Sequence, residues 1–342
     1  MRSLATIQKI SDIKHIEGAD AIELVLIKGW QCVAKKYEFK KGDLCVFFEV
    51  DSYLPIDARY EFLRRTSYRN SEYMGEGFRI KTMMMRGELS QGLALPLSEF
   101  PGIGSEPGFD VTELLGVRKW ELPESISSSG VEIGSKPFGI PTTDETRLQS
   151  MPEFLEAFYG RPYYITTKMD GTSCTVYCYD GKVGVCGRNF EYKEDIASCA
   201  MWAWVHKHGI KDKLLEFGED IAIQGEFCGA GIQKNRLKLM DPNLYVFDIV
   251  TLYGSGGKKA GLAELQNFCE RLGLDMVPVE EVGEYFNYTL EELLEKARGK
   301  YQSGLDKEGI VVRTQQAGHN PTINHKMSFK VINNDFLKKE KD

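Results

Sequence analysis

No stretch of this sequence approaches the ~20 consecutive apolar residues that a membrane-spanning helix needs. The N-terminal segment through His15 interleaves Arg2, Lys9, Asp12 and Lys14 with apolar residues, unlike a secretory signal. No Cys-x-x-Cys pair occurs among the eight cysteines, at positions 32, 45, 174, 178, 186, 199, 228 and 269. Their spacing suits neither a disulfide framework nor a zinc site, so reduced core thiols in a cytoplasmic or other reducing intracellular compartment are expected. The five histidines show no metal-ligand spacing either. Positive charge is not in excess: 43 Lys+Arg stand against 50 Asp+Glu, a net charge of −7. Proteins that coat nucleic acid usually carry a basic balance, because neutralising phosphates supplies much of their affinity. Any nucleic-acid contact here is therefore expected from a local groove. With no coiled-coil pattern, no internal repeat and no sign of a large apolar patch, a monomer is expected.

What is present is an ordinary globular composition, 42% hydrophobic and 27% charged over 342 residues, enough for two domains. The first ~120 residues read as short strands separated by turn residues: Ala21–Ile27, Gln31–Ala34, Leu44–Val50 and Phe78–Met83. That pattern predicts a small β-barrel over 1–120, with the five-stranded OB-like barrel as the choice. From Leu122 to Pro141 the composition turns to Pro, Ser and Gly without periodicity, and 121–141 is the expected linker. Over 142–342 strands and helices mix: strands at Tyr163–Met169, Thr175–Tyr179, Val183–Gly187, Ile221–Phe227, Tyr245–Leu252, Ile310–Arg313 and Ser328–Ile332. Asp180-Gly181 reads as a hairpin turn, and helices are expected over Ile196–His208, from the Thr289–Glu292 capping box through about Tyr301, and in the charged tail. The fold class expected is α+β with antiparallel sheets.

The chemistry-bearing residues form an ordered series. Lys168-Met169-Asp170-Gly171 ends a predicted strand; alone, Asp-Gly is a turn signal. Then come Gly187-Arg188-Asn189, Gln224-Gly-Glu226, Tyr245-Val-Phe-Asp-Ile249, Lys307-Glu-Gly-Ile-Val-Val-Arg313 and Lys326-Met-Ser-Phe-Lys330. In that order and spacing, from about 144 to 333, the set resembles the covalent nucleotidyltransferases: RNA ligases, DNA ligases and mRNA capping enzymes. DNA ligases and capping enzymes carry an OB domain after the last lysine motif, whereas only twelve residues follow Lys330 here. The extra module precedes Lys168, and with Lys28–Val33, Gly42-Asp43, Glu49–Asp51 and Thr143–Gln149 the chain resembles the nick-sealing RNA ligases with an N-terminal OB domain.

That resemblance implies a nucleotidyltransferase (ligase adenylation) domain that uses ATP and Mg²⁺ or Mn²⁺. Lys168 would attack the α-phosphorus of ATP to give lysyl-AMP; AMP would pass to an RNA 5′-phosphate, and a 3′-OH would then seal the strand. Only a neutral amine is nucleophilic, and at an ordinary pKa of ~10.4 roughly one lysine in a few thousand is neutral at pH 7. A neighbouring cation or partial burial would lower that pKa. Asp170, Glu226 and Glu308 would form a hard-oxygen cage for the divalent ion. Arg188, Lys326 and Lys330 would neutralise phosphates.

Phe247 matches the aromatic that stacks on adenine in related ligases, with a core strand residue as its plainer reading. Ile310, alternating with Val312 from Glu308, would cover the other face of the purine or fill the core. Gly171 closes the nucleophile motif. Ser173 stands where some relatives have an asparagine that contacts the nucleotide. Relatives place two lysines two apart in the last motif, but the position two before Lys330 is Ser328, so the partner of Lys330 stays open; Lys326 reads equally as a solvated charge. Met83-Met-Met85 and Trp202-Ala-Trp204 read as filler and core. Lys35-Lys36, Lys40-Lys41 and Arg64-Arg65 read first as solvated charges and second as contacts to a nucleic-acid backbone. Two rival functions remain at this stage: a nick-sealing ligase preferring DNA strands, and a nucleic-acid-binding relative without catalysis.

Overall fold

The computed structural model describes residues 2–121, 130–137, 139–253 and 256–339. Contacts divide these into two compact units: one runs to residue 121 and includes Gln149–Pro152, and the other holds 130–148 and Glu153–Lys339.

In the first unit every described strand pairing is antiparallel, with short 3-10 turns at Ala58–Leu63 and Leu97–Glu99. One sheet orders Ala5–Lys9, Leu44–Phe48 and Leu93–Pro96; a second orders Asp12–His15, Ile22–Ile27 and Trp30–Lys35. Alternation along Trp30–Lys35 buries Trp30, Cys32 and Ala34, which join Val25, Ile27, Phe39 and Phe47 in one core. A second core gathers Leu4, Ile7, Val46, Phe48, Tyr60 and Phe78. The single strand expected over Phe78–Met83 is instead two, Gly75–Arg79 and Thr82–Met85, which belong to different sheets. The amide of Ile80 donates to Ser52 and its carbonyl accepts from Asp51, so the chain is anchored between the two strands.

The second unit contains a seven-stranded antiparallel sheet ordered Glu132–Ser135, Phe190–Tyr192, Lys182–Cys186, Thr172–Tyr179, Ile221–Cys228, Asn243–Tyr253 and Gly256–Lys259. A four-stranded antiparallel sheet orders Val279–Gly283, Tyr163–Lys168, Gly309–Thr314 and Ser328–Ile332. Asp180 and Gly181 sit at φ 48° and 67°, the two positive values that a two-residue type I′ hairpin requires. Helices Ala200–Lys207, Ile210–Phe217 and Leu262–Leu272 bury Trp202, Trp204, Ile210, Leu214, Leu265 and Phe268 in one core with Val176, Ile223 and Phe227 of the large sheet. The two tryptophans are core residues whose indole N–H groups donate to Tyr192 O at 3.0 Å and Asn243 Oδ1 at 3.1 Å. All eight cysteines are buried and unpaired. No helix among the described residues is long and apolar enough to cross a membrane.

Three expectations need correction. Residues 130–137 are not linker: Glu132–Ser135 is an edge strand whose four residues are all exposed, so it carries no alternation to read. Positions 122–129 of the expected linker lie outside the described residues. The helix expected from Ile196 begins only at Ala200, because Asp195 ties the amide of Ala197 and the hydroxyl of Ser198 into a turn. The capping box at Thr289 and Glu292 forms, with the Thr289 amide donating to the Glu292 carboxylate at 2.8 Å, but its helix stops at Lys296. Gly299, at φ 136°, then turns the chain, and Tyr301 lies in the loop beyond.

Candidate active site

The site is built on one face of the four-stranded sheet. Register opposes Lys168 to Gly309 and Ile332, and Thr166 to Val311 and Lys330. Opposed residues share a face and neighbours along a strand alternate. Lys168, Thr166, Val311, Lys330, Arg313 and Ser328 therefore share one face. Ile310, Val312, Phe329 and Val331 lie on the other, where Phe329 packs on Phe154 and Phe158.

Ile310 is thus a core residue with no exposed surface, on the face away from Lys168, and its expected contact with a purine does not stand. Counting alternation from Glu308 fails because Gly309 takes φ 151°, which breaks the pleat between Glu308 and Ile310. A Cβ there would lie 2.1 Å from the Val331 carbonyl, so only glycine fits. Val311 is the residue that shares the face of Lys168.

The large sheet supplies Glu226, and Asp170 lies in the turn that leads from Lys168 into it. Ser173 opposes Glu226, and Glu226 opposes Tyr245. Gly171 lets the chain leaving Lys168 press against the neighbouring strand: a Cβ would meet Phe227 O at 2.5 Å and Cys228 Sγ at 2.6 Å. Phe247 is half-buried, packs with Met169, Cys228, Val277 and Tyr301, and has the Arg313 guanidinium 5.7 Å from its ring centre.

The Lys168 ammonium donates to Glu308 Oε2 at 2.8 Å. Burial alone would lower this amine, but Glu308, Glu226 and Asp170 outweigh it and hold Lys168 above the ordinary lysine value. Glu226 is pushed up to about 7 by burial and by Glu308 and Asp170, against the pull of Lys168. Lys330 is brought down to about 7 by burial, with the positive charges of Lys168 and Arg147 adding to the effect. Asp170 lies 3.0 Å from Arg236 Nε, close enough for an ion pair but not aligned for a hydrogen bond. The Arg236 guanidinium in turn lies 4.3 Å over the ring of Phe336.

A second charged cluster stands on the same sheet face. The Glu145 side chain, 8% exposed, accepts from Ser328 Oγ at 2.6 Å and pairs with Arg313 at 3.3 Å and Lys326 at 3.1 Å. Burial would raise its pKa, but Lys326, Arg313 and Lys259 outweigh that and bring it down to about 2. Lys326 is thus no solvated charge; it also donates to Asp144 O at 2.6 Å, and burial lowers its own pKa. Arg188 pairs with the Asp144 carboxylate at 2.7 Å, and Ser173 shares a hydrogen bond with Thr143 at 2.8 Å.

Of the residues singled out in the sequence, Lys168, Asp170, Glu226, Glu308 and Lys330 are drawn into one electrostatic cluster. Arg188 and Lys326 meet through Asp144, and Ile310 is excluded. Among the described residues no three His, Cys, Asp or Glu side chains stand close enough to hold a metal ion by themselves. The expected three-carboxylate cage is therefore not formed within the protein; the three acids converge on Lys168. Their hard oxygens still fit a cation that keeps several waters and borrows phosphate oxygens, as Mg²⁺ does. Residues not singled out from the sequence are Arg147, whose backbone bridges Lys330, together with Arg236, Tyr301, Val311, Arg313 and Glu145. Arg147 and Glu145 lie inside the Thr143–Gln149 segment already noted, whereas Arg236 lies in a loop without pattern.

Comparison with known proteins agrees with this architecture. An OB-fold domain model matches residues 4–97, and an RNA ligase family model matches residues 161–332. The chain belongs to the RNA ligase family, with an N-terminal OB-fold domain. Three structures of a Naegleria gruberi RNA ligase are similar over essentially the whole length. One is bound to pyrophosphate, with 37% identity, 98% of each chain covered and a TM-score of 0.89. A lysine-to-methionine variant with AMP and manganese shares 37% identity over 100% of each chain at a TM-score of 0.91. A glutamate-to-alanine variant with ATP and manganese shares 37% identity over 100% of each chain at a TM-score of 0.90. None of the curated proteins matches the chain.

Proposed function

We propose that this RNA ligase uses ATP and a divalent cation to join RNA ends through a lysyl-AMP intermediate on Lys168, and that its substrate is a nick in a duplex. The observation that carries the reading is the cluster itself: one lysine at a strand end, 2.8 Å from Glu308, ringed by Glu226 and Asp170 and shadowed by Lys330. A structural lysine needs one partner; this one has three acids and a second, suppressed lysine. The Naegleria ligase solved with ATP, AMP, pyrophosphate and manganese supports the same nucleotide chemistry here.

In the first step Lys168 Nζ attacks the α-phosphorus of ATP. An N–P bond forms, the bond from that phosphorus to the bridging oxygen of the β-phosphate breaks, and pyrophosphate leaves. A proton must leave the ammonium before attack. Bound Mg²⁺ or Mn²⁺ would supply positive charge that loosens the carboxylates' hold on that proton and withdraws charge from the phosphate oxygens. Lys330, Arg147 and Arg188 are assigned to the phosphates. Phe247 and Val311 are assigned to the base. The AMP then moves to the 5′-phosphate of one RNA end, and the 3′-OH of the other displaces it.

The test incubates the full chain with [α-³²P]ATP and Mg²⁺, and then with nicked duplexes ending in a 3′ ribonucleotide or a 3′ deoxynucleotide. Protein-bound label followed by faster sealing of the ribonucleotide nick is expected. Absence of label removes the ligase mechanism. Equal sealing of both nicks removes the RNA preference, and protein-bound label with neither nick sealed removes the nick as substrate.

A further inference from the structure

Two strand ends meet at the nucleophile, and one hydroxyl joins them. The pairing of Tyr163–Lys168 with Gly309–Thr314 ends with Lys168 opposite Gly309. Just past this last pair, Tyr301 Oη donates to the Lys168 carbonyl at 2.7 Å and accepts from the Glu308 amide at 3.0 Å. The side chains of the same two residues meet at 2.8 Å. One phenol thus spans the backbones of the amine and of the carboxylate that holds it. Its ring is 8% exposed and packs against Met169, Cys228 and Val277. Burial raises its pKa above the ordinary tyrosine value. The loop that carries it is itself fixed, since the Tyr301 amide donates to Leu305 O at 2.8 Å and its carbonyl accepts from Gly304 at 2.9 Å.

We infer that Tyr301 is a positioning residue for adenylyl transfer: its hydroxyl locks the Lys168 and Glu308 backbones together, so that the amine meets the α-phosphate in a fixed line. This rests on the ligase reading above. Without the hydroxyl, a carbonyl and an amide at the strand ends lose their partner while the ring and its packing remain. The strand ends are then free to shift by a fraction of an ångström, and a misplacement of ~1 Å at a reacting atom costs about 10²-fold in rate. Binding of ATP draws on cations and on Phe247, whose packing with the Tyr301 ring survives loss of the hydroxyl, and is little affected.

The experiment compares the full-length wild type, Tyr301→Phe and Lys168→Ala in single-turnover labelling with [α-³²P]ATP over a range of ATP concentrations. The rate constant is read per reacting molecule, so partial unfolding lowers the amplitude and leaves the rate unchanged. Tyr301→Phe is expected to label about 10- to 100-fold more slowly at saturating ATP, with the half-saturating concentration within about twofold of wild type. A rate constant within about twofold of wild type overturns the inference. So does a loss that lies wholly in the half-saturating concentration, because it assigns Tyr301 to binding. If the wild type itself takes up no label, the ligase reading fails instead, and Lys168→Ala fixes the background against which that is judged.

Discussion

Two buried charge clusters share one face of the same four-stranded sheet, and their chemistry is opposite. Around Glu145 one carboxylate meets Arg313, Lys326 and a serine hydroxyl, and its pKa falls to about 2. Around Lys168 three carboxylates crowd one ammonium, and one of them, Glu226, rises to about 7. In the first, one carboxylate is answered by two cations and a hydroxyl, and it is held firmly ionised. The second has more negative charge than its lysine can answer, and a second lysine, Lys330, is suppressed to about 7 close by. Folding energy alone favours the first kind of cluster. The second is tolerated where the missing positive charge arrives with a substrate and its cation.

The sharpest way to break the comparison is to remove the lysine. Lys168→Ala is expected to abolish covalent label from [α-³²P]ATP, and Lys168→Arg to do the same, because a guanidinium stays protonated. Any covalent AMP on either variant, located by mass spectrometry of the peptides, would place the nucleophile elsewhere. Next in size, Glu308→Ala and Glu226→Ala are each expected to slow adenylylation by roughly 10²–10⁴-fold and to steepen its dependence on Mg²⁺. Glu145→Gln, by contrast, should leave the rate per folded molecule within about threefold while lowering stability by several kcal/mol, as expected when one partner of a buried ion network is lost. A Glu145 variant as slow as the Glu308 variant would erase the distinction between the two clusters.

The difference also has a sign in pH. Glu145 titrates lower in the folded than in the unfolded chain, where a carboxyl has its ordinary value of 4.5. The folded state therefore binds fewer protons between about pH 4.5 and 2, and the stability Glu145 contributes, complete above that window, is lost as pH falls through it. Glu226 titrates higher when folded, about 7 against 4.5, so the folded state binds more protons across that window and stability declines as pH rises through it. In thermal melts, the deficit of Glu145→Gln against wild type should narrow toward pH 2. Any advantage of Glu226→Gln should grow from pH 5 to pH 8. Parallel curves for either pair would show that the group is not perturbed as its surroundings require.

Sequence carried the satisfied parts of this picture poorly and the reactive part well. Lys168, Asp170, Glu226 and Glu308 were legible from the order and spacing of a whole series of motifs, each weak alone; Lys168 ends its strand, Glu226 lies within one and Glu308 precedes one. Glu145 and Arg313 gain their meaning from each other across 168 residues of chain, and no local pattern reports such a pairing. The seven strands expected in the second unit lie within a few residues of observed ones because they are apolar and β-branched runs between turn residues, buried along nearly their whole length in Tyr163–Lys168, Ile221–Cys228 and Gly309–Thr314. The edge strand Glu132–Ser135 was not readable, because an edge with every residue exposed has no alternation. Ile310 was misplaced by one glycine: strict period-2 counting holds only while the pleat does, and Gly309 at φ 151° breaks it. Tyr301 was read as a helix end, since nothing in a capping box says where its helix will stop, and Gly299 turned the chain before the helix could reach it.

The smallest expected effect probes how the reactive cluster is kept from being more acidic still. Arg236 is the positive charge 3.0 Å from Asp170, held in place over Phe336. Removing it by Arg236→Ala leaves Asp170 unanswered on that side, and the added negative charge strengthens the hold on the Lys168 proton. The amine then needs a higher pH to become nucleophilic. Adenylylation is therefore expected to be about two- to threefold slower at pH 7, while the plateau rate at high pH is retained and the profile moves toward alkali. The check is a pH–rate profile of label uptake at saturating ATP and Mg²⁺, run beside wild type. A lowered plateau with an unmoved midpoint would mean that Arg236 acts on geometry and not on charge. A midpoint moved toward acid would reverse the sign of the argument, since it would require Asp170 to favour the neutral amine.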